Sequence, residues 1–135
     1  ANPRLPGQDA PGLGLGQQVL SLIHAMGERS EQDAIAMVPS HYHVAWMSRD
    51  RFHFVDPVAE GRFRALVAAT HRQPLNRVSE RLDGDGIPSE LDEVVRWEPS
   101  PMIWPLSEAA RATLERGREE AEQARLALED VLLPA

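Results

Sequence analysis

Cysteine and lysine are both absent from this chain of 135 residues. Without cysteine there is no disulfide, no thiolate nucleophile and no cysteine-ligated zinc site, and the redox compartment is left undetermined. Because lysine is absent, all 14 basic residues are arginines, which we interpret as the coding bias of a GC-rich bacterium. No hydrophobic run approaches the roughly 18 residues of a membrane span. The sequence therefore predicts a cytoplasmic protein with no membrane partner, although a periplasmic protein could share this composition.

The length of the chain predicts a single domain, since such a chain buries roughly two thirds of its unfolded surface. Residues 1–12 are rich in proline and glycine, which disfavour regular structure, and we expect a flexible arm or linker there. Residues 13–135 are expected to form the domain. The chain begins with Ala1 rather than methionine; we expect a domain cut from a longer protein, with a processed protein as the alternative.

The pattern of apolar residues, prolines and capping residues predicts a mainly helical α+β fold. We expect winged-helix-like architecture with several short helices, one β-hairpin and a long C-terminal helix. The expected elements are helices over 13–26 and 30–38, a hairpin over 41–56, helices over 57–73, 75–82 and 89–97, an irregular connector over 98–106 and a helix over 108–133.

The segment from Ser40 to Asp56 concentrates aromatic and imidazole side chains. It holds three of the five histidines and the only tyrosine, in two apolar runs that flank a polar turn. We interpret it as a β-hairpin in which Met47 pairs with Phe52, which places His43 opposite Asp56. Asp56 is also the expected N-cap of the helix that follows, and the two roles compete.

His41 and His43 share one face of that predicted strand and are the candidate metal ligands. A carboxylate-oriented imidazole binds zinc or copper well, and it can also act as a general base. No third ligand follows at a spacing that would complete the site. Two structural histidines are therefore the alternative, and the sequence predicts no cofactor.

The predicted C-terminal helix carries a heptad seam of apolar and small residues. Its members are Leu114, Gly117, Ala121, Ala124 and Leu128. Steps of four and three place these residues on one face, and the small ones permit another helix to approach closely. The helix predicted over 13–26 is one candidate for that neighbour. The same helix of a second chain is the other, so intramolecular packing and self-association both stay open.

Charge is distributed unevenly along the chain. The net charge is −2 over residues 1–48, +3 over 49–81 and −8 over 82–135, which gives −7 in total. The acidic part would repel phosphate, whereas the central part could bind nucleic acid locally. The candidate contacts are the arginines of the hairpin tip and the next helix: Arg49, Arg51, Arg62 and Arg64. The alternative is that these arginines are solvated or pair with the acidic C-terminal helix.

Residues 16–22, 43–44 and 52–57 resemble segments of the winged-helix domain at the C-terminus of conjugative relaxases of integrative elements. The resemblance covers about 40 residues and implies a first helix and a wing in a DNA-associated accessory module. Nicking chemistry lies elsewhere in that family, so no catalytic residue is carried over. The hairpin is longer here, and no match continues beyond about Arg64.

These observations favour a non-catalytic interaction or regulatory domain of a bacterial protein. The expected partner is DNA or another protein, and a small metal-binding domain is the alternative. No local catalytic motif is present. A site assembled from distant residues would leave none, so the sequence does not decide whether the protein is an enzyme.

Overall fold

The computed structural model describes residues 33–134, so the predicted arm over 1–12 and the predicted helix over 13–26 lie outside the described residues. In chain order the elements are β1 (Ala34–Met37), α1 (Tyr42–Met47), β2 (His53–Phe54), α2 (Pro57–Ala69), α3 (Leu75–Asp83), β3 (Ile87–Pro88), β4 (Val94–Val95), β5 (Met102–Pro105), α4 (Glu108–Arg116) and α5 (Arg118–Glu129). The predicted α+β class is confirmed. Within 33–134, no helix has the length and apolar character that crossing a membrane requires.

The main sheet has three antiparallel strands in the order β1–β5–β2. Ile35 of β1 lies opposite Trp104 of β5, and His53 of β2 lies opposite Ile103. Because side chains alternate along a strand, Met102 and Trp104 lie on one face and Ile103 lies on the other. The face with Met102 covers the main core, and the face with Ile103 covers a smaller one.

Four aromatic rings from different elements meet at the main core. They belong to Tyr42, Phe54, Phe63 and Trp97. Neighbouring ring centroids lie 5.4 to 6.3 Å apart in tilted or edge-on arrangements, as aromatic pairs prefer. The indole nitrogen of Trp97 donates to the carbonyl of Pro39 at 3.1 Å. This cluster joins α1, β2, α2 and the segment after β4.

The smaller core lies between the sheet and α4. It contains Val55, Ile103 and Ala110, with Leu114 packed against them. The predicted cap of this helix is confirmed, because the Ser107 hydroxyl accepts a hydrogen bond from the backbone N–H of Ala110 at 3.1 Å. The cap fixes where α4 begins after β5.

Helix α2 begins where the sequence predicts. The Asp56 carboxylate accepts from the backbone N–H of Val58 at 3.0 Å, and Pro57 occupies the first turn, where its fixed φ suits a helix. The helix ends earlier than predicted, at Ala69, with Thr70 as its C-cap. The predicted helix over 75–82 is also confirmed as α3.

Helices α2 and α5 pack side by side and run in the same direction. Gly117 lies against the ring of Pro57, and Gly61 lies against Ala121 and Ala124. A Cβ at Gly61 would lie 2.7 Å from the Cβ of Ala124, which is well inside normal carbon–carbon contact. The small residues of the predicted seam therefore do permit a close helix approach.

Within residues 33–134 the neighbour that packs against the seam is α2, whereas the helix predicted over 13–26 lies outside the described residues. Leu128 belongs to the main core and Leu114 packs on the smaller one, so the seam is used inside the chain. Self-association through it would require α2 and α5 to separate. The predicted single helix over 108–133 is wrong, because it is interrupted at Gly117 and ends at Glu129.

The hairpin predicted over 41–56 is wrong. Tyr42–Met47 is the helix α1, in which Tyr42 and Ala45 are buried one turn apart, and His53–Phe54 pairs with β5. A short apolar run fits either a buried helix or a strand, and its periodicity does not separate them. The predicted pairing of His43 with Asp56 fails with the hairpin.

Two predicted helices and one connector are strands. Ala34–Met37 of the helix predicted over 30–38 forms β1, and the helix predicted over 89–97 contains β4. The predicted irregular connector contains β5, the central strand of the sheet. In each case pairing with a strand distant in sequence overrides the local capping signals.

Candidate functional site

Two of the predicted nucleic-acid arginines lie over tryptophan rings. The guanidinium carbon of Arg49 is 3.6 Å from the centroid of Trp46, and that of Arg51 is 4.9 Å from the centroid of Trp104. Arg49 also donates from Nη1 to the carbonyl of Trp46 at 2.6 Å. With Phe52, these residues form a surface that we call the arginine–aromatic ledge: Trp46, Arg49, Arg51, Phe52 and Trp104.

The ledge is positioned by the turn after α1 and by the sheet. The carbonyl of Ser48 accepts from the backbone N–H groups of Arg51 and Phe52 at 3.1 and 2.9 Å, which fixes the turn. Strand β2 then pairs with β5, and the rings of Phe52 and Trp104 lie 6.1 Å apart at 61°. Ile35, opposite Trp104, is 45% exposed. The ledge therefore lies at an open margin of the main core.

The other two predicted arginines do not join the ledge. Arg62 lies 3.6 Å from the carboxylate of Glu93, and Arg64 lies 2.7 Å from that of Glu60. Both arginines belong to α2. Glu93 lies in the loop between β3 and β4, and Glu60 lies on α2 itself, so neither partner belongs to the acidic C-terminal helices. The structure thus brings together Arg49 and Arg51 and leaves Arg62 and Arg64 elsewhere.

His41 and His43 are adjacent, although on α1 and its N-cap rather than on a strand. Their rings are stacked at 5.5 Å and 7°. The Nδ1 atom of His41 is 2.9 Å from a carboxylate oxygen of Asp83, and that of His43 is 2.9 Å from the hydroxyl of Ser79. Each ring is therefore oriented by a different residue of α3.

This pair does not form a complete metal site as it stands. Across residues 33–134, no three or more histidine, aspartate or glutamate side chains are grouped so that they could hold a metal ion. Metal binding at His41 and His43 stays a prediction.

Glu60 is a buried carboxylate that the sequence reasoning missed. It is 7% exposed, and it accepts from the backbone N–H of Phe54 at 2.8 Å and from Arg64 Nε at 2.7 Å. His53 Nδ1 lies 3.9 Å away. Burial would raise the pKa of Glu60, but His53, the Phe54 N–H and Arg64 outweigh it and hold that pKa below its ordinary value.

A sequence signal for Glu60 did exist. Glu60 stands three residues before Phe63, so both lie on the inward face of α2. An acid on the buried stripe of a helix needs a partner, and Arg64 one turn later supplies it. The backbone partner at Phe54 depends on tertiary structure, so it could not be predicted from the sequence.

No protein-family profile, no curated protein and no solved structure matches this chain. The resemblance to the relaxase winged-helix domain therefore stays a prediction.

Proposed function

We propose that this protein is a non-catalytic, nucleic-acid-associated module that binds single strands through the arginine–aromatic ledge. The observation that carries the proposal is that two arginines of one turn each lie over a tryptophan ring, Arg49 over Trp46 and Arg51 over Trp104. The side chains of the ledge include no nucleophile and no general base, so the ledge itself offers binding rather than chemistry.

The ledge combines the two kinds of contact that single-stranded nucleic acid uses. Aromatic rings and guanidinium planes accept bases by stacking, at about 1–3 kcal/mol per base. Arginines at the same place bind phosphate. Trp46 and Trp104 are half-buried and Arg51 is exposed, so a base could replace a guanidinium on a ring without unfolding the turn. Single strands expose their base faces, which favours them over a duplex.

We also propose a winged-helix-like architecture, which is supported by the order α2, turn, α3, β3–β4, since it follows the helix–turn–helix–wing order of such a domain. The tip of this hairpin is acidic, with Glu90, Asp92 and Glu93 all exposed. Three carboxylates at a wing tip repel phosphate. We therefore assign nucleic-acid contact to the ledge and not to this hairpin.

Two exposed apolar side chains near the ledge favour a protein partner as the second candidate. Met47 at the end of α1 is 64% exposed and Ile35 is 45% exposed. Tryptophan, arginine and exposed apolar residues together are also typical of the centres of protein interfaces. Protein binding would show little dependence on salt compared with binding to phosphate.

Fluorescence anisotropy with a short labelled oligothymidine, and with a labelled duplex, tests the proposal from about 50 to 200 mM salt. We expect single-strand binding that weakens with salt. Each of Arg49→Ala and Arg51→Ala should reduce the salt slope by about 0.7, the value for one single-strand phosphate contact. Arg116→Ala is the matched control. Arg116 is exposed on α4, and its substitution removes the same positive charge away from the ledge. Equal loss in the control, or no binding at low salt, would contradict the proposal.

A further inference from the structure

A cleft opens on the other side of the sheet margin from the ledge. It lies between β2, the first turns of α2 and the junction of α4 and α5, and its volume is about 470 Å³. Small-molecule sites in proteins have volumes of roughly 300–1,000 Å³. Neighbouring residues of one strand point to opposite faces, so His53 and Pro105 line the cleft whereas Phe52 and Trp104 belong to the ledge.

One wall of the cleft is apolar and rigid. Val55, Pro57, Pro105, Leu114 and Ala121 line it. Val55 is buried against Ile103 of the sheet, and Pro57 is held against Gly117 by the packing of α2 on α5. The wall is therefore formed before any ligand arrives, which lowers the cost of binding.

The charged part of the lining has more arginines than acids, in a chain whose net charge is −7. Arg64, Arg111 and Arg118 line the cleft together with Glu60 and Glu115. The Arg111 side chain pairs with no carboxylate of residues 33–134. Arg118 lies 3.3 Å from Glu115, but this pair is exposed and such pairs are weak.

Glu60 holds Arg64 in place rather than opposing an anion. Its two oxygens are used by the Phe54 N–H and by Arg64 Nε, so its charge is already compensated. Because only Nε of Arg64 is engaged by residues of 33–134, both terminal nitrogens of that guanidinium stay available. Arg64 is thus a pre-oriented donor in the same cleft as Arg111, which pairs with no acid of that part of the chain.

We propose that this cleft binds a small organic anion, with a carboxylate or phosphate group on Arg64 and Arg111 and an apolar body against Val55 and Leu114. Guanidinium groups bind both kinds of anion through paired N–H donors. The apolar wall gives a reason for an organic ligand rather than an inorganic ion. The proposal stands independently of nucleic-acid binding at the ledge.

Isothermal titration calorimetry of the whole chain with phenyl phosphate, benzoate and benzyl alcohol tests this proposal. We expect saturable 1:1 binding of phenyl phosphate or benzoate, and much weaker binding of the uncharged benzyl alcohol. Tighter binding of phenyl phosphate would identify the ligand class as a phosphate, and tighter binding of benzoate would identify it as a carboxylate.

Arg111→Gln should weaken binding of the preferred anion by about tenfold, since it removes a charged hydrogen bond. This variant should fold normally, because the side chain of Arg111 has no ion pair within residues 33–134. Arg77→Gln on α3 is the matched control, being exposed and away from the cleft. The proposal is overturned by the absence of anion binding, by equal binding of benzyl alcohol, or by equal weakening in the two variants.

Discussion

Replacing Gly61 with alanine tests the packing of α2 on α5, which positions the cleft. A Cβ at Gly61 would overlap the carbonyl oxygen of Ala121 and lie 2.7 Å from the Cβ of Ala124 and 2.8 Å from the backbone nitrogen of Arg125. Two of these three atoms belong to the backbone. They cannot move away by a rotamer change, so the helices would have to separate by about 1 Å to restore normal contact.

Two opposing terms decide the effect of Gly61→Ala. Alanine in a helix is about 1 kcal/mol more favourable than glycine. Overpacking of a core typically costs about 1–3 kcal/mol, and clashes with two backbone atoms of α5 place this case at the upper end. We therefore expect the free energy of unfolding to fall by about 2 kcal/mol, or Tm to fall by roughly 10 °C. Urea unfolding followed by circular dichroism measures the first quantity.

Ala127→Gly calibrates the helix-propensity term separately. Ala127 is exposed on α5, so this change should cost only about 0.5–1 kcal/mol. If Gly61→Ala instead stabilises the protein by a similar amount, the higher helix propensity of alanine is not opposed by any steric clash. The close contact between α2 and α5 would then be refuted.

Two further predictions follow from the titratable groups of the core. The pKa of Glu60 is held below its ordinary value of 4.5. Its contribution to stability is therefore full above that pH and is lost as the pH falls through the lowered pKa. Glu60→Gln should reduce the loss of stability at acid pH, measured by urea unfolding, and an unchanged loss would contradict this. Burial raises the pKa of Tyr42 above 10.0, more than its contacts with Thr70 and Arg49 lower it. Its stabilising effect is therefore present below pH 10 and declines as the pH rises further. Since Tyr42 is the only tyrosine, its phenolate absorbance reports this pKa directly, and titration at the ordinary value would contradict the burial.

The elements that the sequence predicts correctly are those that carry their own local signals. Asp56 and Pro57 satisfy the first turn of α2 whatever the rest of the chain does, and Ser107 does the same for α4. Their side chains contact backbone groups only two or three residues away. Local chemistry is enough to place such a helix start.

The wrong predictions concern segments whose structure is decided by distant residues. The pattern of Tyr42–Met47 fits either a strand or a helix. In the helix, the ring of Tyr42 packs against Phe63 and Trp97. Met102–Pro105 becomes a central strand because β1 and β2 pair with it from either side. No local pattern encodes those pairings, and a short apolar run does not contain that information.

The candidate site shows the same division. The sequence predicts Arg49 and Arg51 as a pair because they share a turn, and the structure keeps them together. Trp104, which is essential to the ledge, comes from a strand more than fifty positions later in the chain. Such a distant partner cannot be predicted from the sequence, because only the register of β2 on β5 brings Phe52 beside Trp104.

The most direct test of the proposed function is the affinity of Trp104→Leu for a labelled oligothymidine, measured by anisotropy beside the unchanged protein. This variant keeps an apolar side chain and the charges of Arg49 and Arg51, so it removes the stacking surface of Trp104 without changing the charge of the ledge. Loss of one stacked base should weaken binding by about tenfold or more while the salt slope stays the same. Unchanged affinity would contradict binding at the ledge.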